Sequence, residues 1–371
     1  MIKLKKSKVF IIIAIILIIF IAGIGSKGGM VENLGVISGV GYDIEKEASD
    51  ILYNISFLVY SFQAQDKVVT RVLTGKSKSL GETRENRQLK SARKLTIGLS
   101  KVFIFSEDIS VLGLKNDIDI LHNNPDVNDT GLCVVCKGKA EDILKCPVTG
   151  FQSSAEFISG MVKNLRQSNF FPAQYTVMDL IVRYYAEGRN LLLPYIEIKN
   201  NNIETTGLAI FRKDKMVGKA DMDETRIINM LKEKNVKGML TLQSTSKKYI
   251  NCYANSKSTV KCSKVDGKYK FIINLDMKGN IQSNELYNNI DTDPKIMKKF
   301  ELDMTNYVQK MGNDFINKSK CQYKTDVLDL GRIAVAKYGR GTGTDWDELV
   351  CTSDIKVNVK FTVDNLGRGD F

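Results

Sequence analysis

The sequence predicts an α+β protein in which an N-terminal membrane segment precedes mixed α/β domains with largely antiparallel or mixed sheets. Strand and helix patterns alternate along the chain without an internal repeat, and 371 residues are enough for two or three domains. The stretch from Ile355 to Val363 alternates apolar and polar residues, so one face of its sheet is in water. That pattern favours antiparallel or mixed sheets over a fully buried parallel sheet.

The N-terminal segment consists of a lysine-rich start followed by the uncharged stretch Val9 to Ser26. As a helix this stretch is about 27 Å long, which is at the short end of what crosses a bilayer. The lysines predict that the tail stays inside the cell and that everything after Lys27 is translocated. A cleaved signal peptide has the same basic start and apolar middle, so both forms of export stay open. The predicted anchor residues are Val9, Phe10, Ile11, Ile16, Phe20 and Ile24.

The end of this segment resembles a lipoprotein signal without its cysteine. Ile21, Ala22 and Gly23 form the small and aliphatic pattern that precedes a lipidated cysteine, but the next residue is Ile24. The nearest cysteine, Cys133, is far away in the chain. No lipid attachment is therefore expected, which favours an uncleaved helical anchor. Residues 1–29 are the basic tail and the transmembrane anchor or signal.

The composition is basic, with 54 Lys and Arg against 42 Asp and Glu, a formal charge of +12. A basic body held close to a membrane is attracted to anionic lipid, so an anionic membrane surface is one predicted partner. Basic and aromatic residues do not alternate anywhere, and no helix is predominantly basic. Nucleic acid is therefore not an expected partner.

The predicted elements of residues 30–200 form a first domain. They are two strands joined by an acidic turn, a polar helical segment, two buried strands and two amphipathic helices, with Pro194 closing the region. In chain order these elements are Leu34 to Tyr42, Leu52 to Tyr60, Lys76 to Lys94, Val102 to Phe105, Leu132 to Cys136, Ser153 to Leu165 and Tyr175 to Ala186.

The predicted second domain comprises residues 201–371, with a further division near residue 290 left open. It starts with a strand from Thr206 to Phe211, and Asp221 or Asp223 caps the next helix, which Gly238 ends. The later elements are an alternating strand from Tyr269 to Met277, a helix from Pro294 to Lys318 and the last strand from Ile355 to Val363. The predicted apolar stripe of the long helix is Phe300, Met304, Tyr307, Met311 and Phe315.

No catalytic, cofactor or metal site is predicted, and the chain is not expected to be an enzyme. The single histidine, His122, excludes sites that need two histidines. Gly75-Lys76-Ser77 lacks the earlier glycine of a phosphate loop, and the glycine pairs 39/41 and 339/341 lack the third glycine of a dinucleotide fingerprint, so both pairs are interpreted as turns. Asp221, Asp223 and Glu224 are explained by helix capping. Cys133 and Cys136 are predicted to point to opposite faces of a buried strand, which disfavours a redox or zinc site.

Several segments together resemble the Ger(x)C family, the C subunits of spore germinant receptors. The segments that carry the resemblance are Glu32 to Leu34 with Gly41 to Asp43, Gly75 to Phe105, the sequence GRNLLLPYIEI from Gly188, Gly207 to Phe211 with Lys215 to Gly218 and Glu224-Thr225, and Trp346 before the last strand with Gly367 after it. These segments occur in the order of the family's motifs along the chain.

The resemblance implies a non-enzymatic subunit on the outer face of the spore inner membrane, working with integral membrane A and B subunits in nutrient-triggered germination. It also implies three small mixed α/β domains after a lipid-anchored cysteine. This chain differs from the family at two places. Ile24 occupies the position of the lipid-anchored cysteine, and Leu99-Ser100 occupies a position where a histidine is common. An exported, membrane-anchored solute- or envelope-binding protein is the alternative.

A basic cluster on the polar helical segment is the predicted partner-facing surface. It consists of Arg84, Arg87, Arg93 and Lys94. A solvated helix face would have the same composition.

Overall fold

The computed structural model describes residues 13–17, 34–47, 50–62, 68–173 and 175–366. Residues 13–17, which include Ile16, are helical and exposed. The other predicted anchor residues, Val9, Phe10, Ile11, Phe20 and Ile24, lie outside the described residues. Within the described ranges, no helix combines the length and the apolar character that a membrane crossing requires.

A nine-stranded mixed sheet forms the first lobe, residues 34–220. Its strand order is β3-β2-β1-β5-β6-β7-β8-β9, and β4 pairs with β1. The pairs β1–β5, β5–β6, β6–β7 and β1–β4 are parallel and the others are antiparallel. The strands are β1 (Leu34–Glu47), β2 (Asp50–Phe62), β3 (Val68–Ser77), β4 (Lys94–Thr96), β5 (Val102–Ser106), β6 (Leu132–Cys136), β7 (Leu192–Lys199), β8 (Asn202–Arg212) and β9 (Lys215–Ala220).

The central parallel strands β5 and β6 are buried along their whole length, as their continuous apolar sequences predict. Cys133 packs into the core on one face of the sheet and Cys136 into the core on the other. The prediction that these two thiols point to opposite faces is therefore confirmed.

Helices cover both faces of the first sheet. One core includes Ile109, Ile118 and Leu180 from α2, α3 and α6, and the other includes residues of α4 and α5. The helices of this lobe are α1 (Leu80–Gln88), α2 (Glu107–Leu112), α3 (Lys115–Asn123), α4 (Ala140–Lys145), α5 (Ser154–Ser168) and α6 (Val177–Tyr185).

Two glycines interpreted as turn residues lie inside strand β1 instead. A Cβ atom at Gly39 would lie 2.9 Å from Ala155 Cβ, and one at Gly41 would lie 3.1 Å from Ala140 Cβ. These glycines therefore let α4 and α5 pack closely on the strand, and the turn interpretation is wrong for this pair.

The second lobe, residues 222–366, has a four-stranded mixed sheet of order β10-β11-β12-β13. The first three strands are antiparallel and β13 runs parallel to β12, which agrees with the predicted sheet class. A π-helical turn, Ser319–Tyr323, follows the long helix α8. The elements are α7 (Met222–Lys232), β10 (Val236–Thr245), β11 (Lys248–Val265), β12 (Lys268–Asn284), α8 (Pro294–Lys318), α9 (Leu330–Tyr338), α10 (Trp346–Thr352) and β13 (Asp354–Asn365).

Helix α7 begins at the predicted cap and ends before the predicted stop. Asp221 and Glu224 form a reciprocal capping box, with Glu224 N donating to Asp221 Oδ1 over 2.9 Å. Gly238 does not end the helix, because it lies in β10 under the ring of Phe170. Pro194 likewise does not close a region but pairs with Leu208 inside the sheet.

Helix α8 has the predicted bounds but a slightly different buried stripe. Phe300, Met304 and Phe315 are buried, whereas Tyr307 is 39% exposed. Val308 takes the core position because a spacing of four residues from Met304 keeps it on the same face.

The predicted boundary at residue 200 falls between two paired strands of the first sheet. Strands β8 and β9 complete that sheet, so the sheet ends at Ala220. The core beneath α4 and α5 also continues into the second lobe around α7 and α8. The two lobes therefore share one hydrophobic core, and a division into domains at residue 200 or near 290 stays a prediction.

Candidate functional site: the junction and cleft between the lobes

The segment from Glu187 to Asn190, between α6 and β7, packs directly on the second lobe. Gly188 has a φ of +70°, and a Cβ atom there would lie 2.5 Å from the carbonyl carbon of Gly331. Trp346 Nε1 donates a hydrogen bond to Glu187 Oε1 over 2.9 Å. The positive φ and the close backbone approach together require glycine at this position.

A buried hydrogen-bond network continues this junction. The Asn190 side-chain amide donates to Thr325 Oγ1 over 3.0 Å and to Asp347 Oδ1 over 2.6 Å. The Asn190 Oδ1 atom accepts from Lys213 N over 2.8 Å. One amide side chain therefore joins both lobes through groups that are shielded from water.

Asp326, beside this network, is compensated by backbone donors. Its carboxylate accepts hydrogen bonds from the N–H groups of Leu328, Leu330 and Gly331, at 3.2, 3.1 and 2.6 Å. Burial raises the pKa of Asp326 to about 7, and the nearby charge of Asp329 adds to this increase.

Asp329 is compensated by full charges instead. Its Oδ2 atom lies 2.9 Å from Arg183 Nη1, 3.5 Å from Arg189 Nε and 3.5 Å from Lys232 Nζ. Burial opposes ionisation, but these three cations outweigh it and hold the pKa of Asp329 below its usual range. Its backbone has a φ of 55°, in the left-handed region. Because Arg183 and Arg189 come from the first lobe, this ion cluster also joins the lobes.

A cleft of about 1290 Å³ opens above the ion cluster, between α5, α6, α9 and the start of β10. Three acidic residues line it, and each is already engaged: Asp329 with its three cations, Glu233 with Lys232, and Asp179 in the capping box of α6. Five further basic residues of the lining have no ion-pair partner among the residues described: Arg166, Lys234, Lys237, Lys257 and Arg332. The cleft therefore has an excess of positive charge, which attracts anions.

His122, Cys133 and Cys136 do not line the cleft. His122 is exposed and lies edge-on to Tyr185, with ring centroids 5.4 Å apart. No group of three or more potential ligands for a metal ion occurs within the described parts of the chain. Burial raises the pKa of the Cys133 and Cys136 thiols far above their usual range, so neither forms a thiolate readily.

Only some residues of the predicted partner surface, on α1 and the segment after it, are exposed. Arg84 and Lys94 are exposed and Arg93 is half-buried. Arg87 is 4% exposed, with its guanidinium 3.9 Å from the centre of the Phe57 ring and Nη1 donating to Ile55 O over 3.3 Å. Arg87 therefore cannot face a partner, because it turns inward onto β2, and its assignment to this surface is wrong.

Sequence reasoning missed the junction and the ion cluster. Asp326 and Asp329 were not singled out, although two aspartates in the apolar sequence DVLDLG are a detectable signal. In the sequence, the GRN motif from Gly188 and Trp346 indicate only the family resemblance. The structure brings the two motifs together at the junction.

Comparisons with known proteins agree with this fold and with the resemblance. The family model for the spore germination protein N-terminal domain matches residues 30–198, and the model for the spore germination B3/GerAC-like C-terminal domain matches residues 206–367. The chain belongs to the Ger(x)C family of germinant receptor C subunits.

Individual relatives cover most of the chain. It is 25% identical to the spore germination protein GerQC of Bacillus cereus, over 93% of this chain and 97% of that protein. It is 29% identical to the putative spore germination protein YfkR of Bacillus subtilis strain 168, over 36% of each chain. The crystal structure of the GerBC protein superposes with a TM-score of 0.56 and 16% identity, over 88% of this chain and 97% of that one, which shows a common fold.

Proposed function

We propose that this protein is the non-enzymatic C subunit of a nutrient germinant receptor, tethered to the outer face of the spore inner membrane. The observation that carries the proposal is the match of both family models, over residues 30–198 and 206–367. A role in spore germination follows from the family. Integral A and B subunits are the proposed partners, and germinant recognition lies elsewhere in the receptor.

The tether is the apolar stretch Val9 to Ser26, with the lysines before it on the inner side. The basic outer body would then lie beside anionic lipid head groups, each nearby Lys or Arg contributing about 1 kcal/mol. Arg84 on α1, Arg93 in the following loop and Lys94 at the start of β4 remain the proposed partner-facing residues, since they are at least partly exposed.

Deletion of the gene tests the proposal, in a strain that lacks paralogous receptors. Nutrient-triggered germination should be lost, while germination by dodecylamine, which bypasses the receptors, should continue. Complementation with the intact gene is the control. A normal nutrient response in the deletion strain would contradict the proposal.

The interlobe cleft favours a second candidate, an exported solute- or envelope-binding protein, because solutes often bind between lobes. Calorimetry of the full chain in detergent, with a panel of amino acids and sugars, distinguishes this candidate from the receptor subunit. Tight binding of one nutrient by the isolated chain would support this candidate over the first.

A further inference from the structure

The cleft contains an unpaired stretch of strand edge. The β10–β11 pairing runs from Thr245 opposite Lys248 to Val236 opposite Ser256, and β11 then continues to Val265. In the part of the chain that the structure describes, no strand pairs with β11 on that side beyond Ser256. Residues 257–260 of this edge line the cleft.

The outer edge of β13, at the other side of this sheet, is covered. Gln309 of α8 donates to Val357 O over 2.8 Å and accepts from Val359 N over 3.2 Å, so side chains occupy the outer edge of β13. On β11 itself, Lys337 Nζ donates to Cys262 O over 2.8 Å. Residues 257–260, by contrast, have no strand partner on the β10 side within the described residues and line the cleft, and such an edge can accept another strand.

The side chains around the edge alternate in character. Lys257 and Thr259 are exposed, whereas Ser258 is buried and Val260 packs against the core. Leu328, Ile333 and Ala336 also line the cleft, and Leu328 and Ile333 belong to the same hydrophobic cluster as Val260. A strand added here would place alternate side chains against an apolar wall and against basic groups.

The basic residues of the cleft favour an acidic partner. Lys234, Lys237, Lys257, Arg166 and Arg332 line the cleft without ion-pair partners in the described ranges, and the acidic lining residues are already engaged. The volume, about 1290 Å³, exceeds the range of about 300 to 1,000 Å³ that is usual for small-molecule pockets. A peptide segment fits these dimensions better than a single nutrient molecule does.

We propose that this cleft binds an extended acidic segment of a partner protein, added as a strand to the 257–260 edge of β11. The proposal rests on the proposed function only for the idea that the partner is another receptor subunit. Backbone hydrogen bonds along the edge supply affinity. Carboxylates at alternate positions pair with the basic wall and supply selectivity.

The test uses the full-length chain in detergent and a fluorescent ten-residue peptide of alternating Glu and Val. Fluorescence anisotropy should show that the peptide binds and that its affinity falls as the salt concentration rises, because the ion pairs between its carboxylates and the basic residues of the cleft are partly exposed. Reversing three basic residues of the cleft, in the variant Lys234→Glu/Lys257→Glu/Arg332→Glu, should raise the Kd by about tenfold or more.

The matched control reverses three exposed lysines of the same lobe that do not line the cleft. Lys261→Glu/Lys268→Glu/Lys360→Glu changes the net charge equally and should alter the Kd by less than about threefold. Circular dichroism of both variants checks that they are folded. If both variants lose binding equally, the attraction is a property of the whole basic surface and the proposal is overturned.

A second peptide tests the strand edge separately from charge. Methylating alternate backbone nitrogens on one edge of the peptide removes its hydrogen-bond donors and keeps its carboxylates. We expect the Kd to rise by about tenfold. Equal binding of the methylated peptide, or no binding by the wild-type chain, overturns the proposal. Since this assay uses purified protein, either result leaves the germination phenotype of the deletion strain as a separate measurement.

Discussion

Asp326 and Asp329 lie three residues apart, and both carboxylates are buried, yet the structure compensates them in opposite ways. Asp326 receives three backbone N–H groups at the junction, and its pKa is raised to about 7. Asp329 receives three cationic side chains at the floor of the cleft, and its pKa is lowered. Backbone dipoles offset only part of the cost of burying a charge, whereas three full charges exceed it.

The difference separates two structural roles. The Asp326 network, with Asn190 and Asp347, fixes how the lobes meet through groups of definite geometry. The Asp329 cluster instead gives Arg183, Arg189 and Lys232 one shared carboxylate, and the basic lining residues without an ion pair add to the positive charge of the cleft.

Removing the Asp329 carboxylate should cause the largest loss of stability. Asp329→Ala leaves Arg183, Arg189 and Lys232 without their common partner, so we expect the free energy of unfolding to fall by about 3–5 kcal/mol. Urea denaturation followed by circular dichroism measures the loss. Asp354→Ala removes an exposed carboxylate that pairs with Lys270, and should cost less than about 1 kcal/mol. Equal losses in the two variants would contradict the assigned role.

Asp326 and Asp329 should contribute to the pH dependence of stability with opposite signs. Because its folded pKa, about 7, exceeds the usual value of 3.8, its contribution is complete below about pH 4 and declines as the pH rises to about 7. The decline is at most about 4 kcal/mol. Asp329 contributes the reverse, stability that is present above about pH 4 and is lost as the pH falls through its lowered pKa.

Urea denaturation between pH 4 and pH 8 checks the sign. Asp326→Asn cannot ionise, so its unfolding free energy should lack this decline, although it should be less stable than wild type at pH 4. Asp43 and Asp117 also have raised pKa values, about 6 and about 7, and contribute in the same direction in both proteins. The difference between the two proteins therefore isolates Asp326, and identical slopes would refute the assignment.

Arg87 is a third buried charge to compare, a cation for which the described residues provide no carboxylate partner. Burial lowers its pKa to about 10, and the Phe57 ring and the Ile55 carbonyl are its contacts. Arg87→Ala should cost about 2 kcal/mol through lost packing and an unpaired carbonyl. Arg84→Ala, on the exposed side of the same helix, should change stability by less than about 0.5 kcal/mol. Thermal denaturation of the two variants measures the contrast, and a stable Arg87→Ala protein would show that this arginine is dispensable for folding.

Local sequence patterns predicted most of the helices and strands. The capping residues Asp221 and Glu224 located the start of α7, and Pro294 located the start of α8. The failures involve long-range packing. Gly238, Gly39 and Gly41 suggested breaks or turns, but each permits a close contact from a distant segment. Arg87 has the composition of a surface residue, and only the position of β2 beneath α1 turns it inward.

The amino-acid sequence was sufficient for the mixed α+β class, the order of the main elements and the family, because periodicity, capping and short motifs are local properties. The meeting of the GRN segment with Trp346, the opposite environments of Asp326 and Asp329 and the open edge of β11 required the folded chain. Each depends on residues far apart in sequence, and burial and electrostatic compensation are set only when those residues come together.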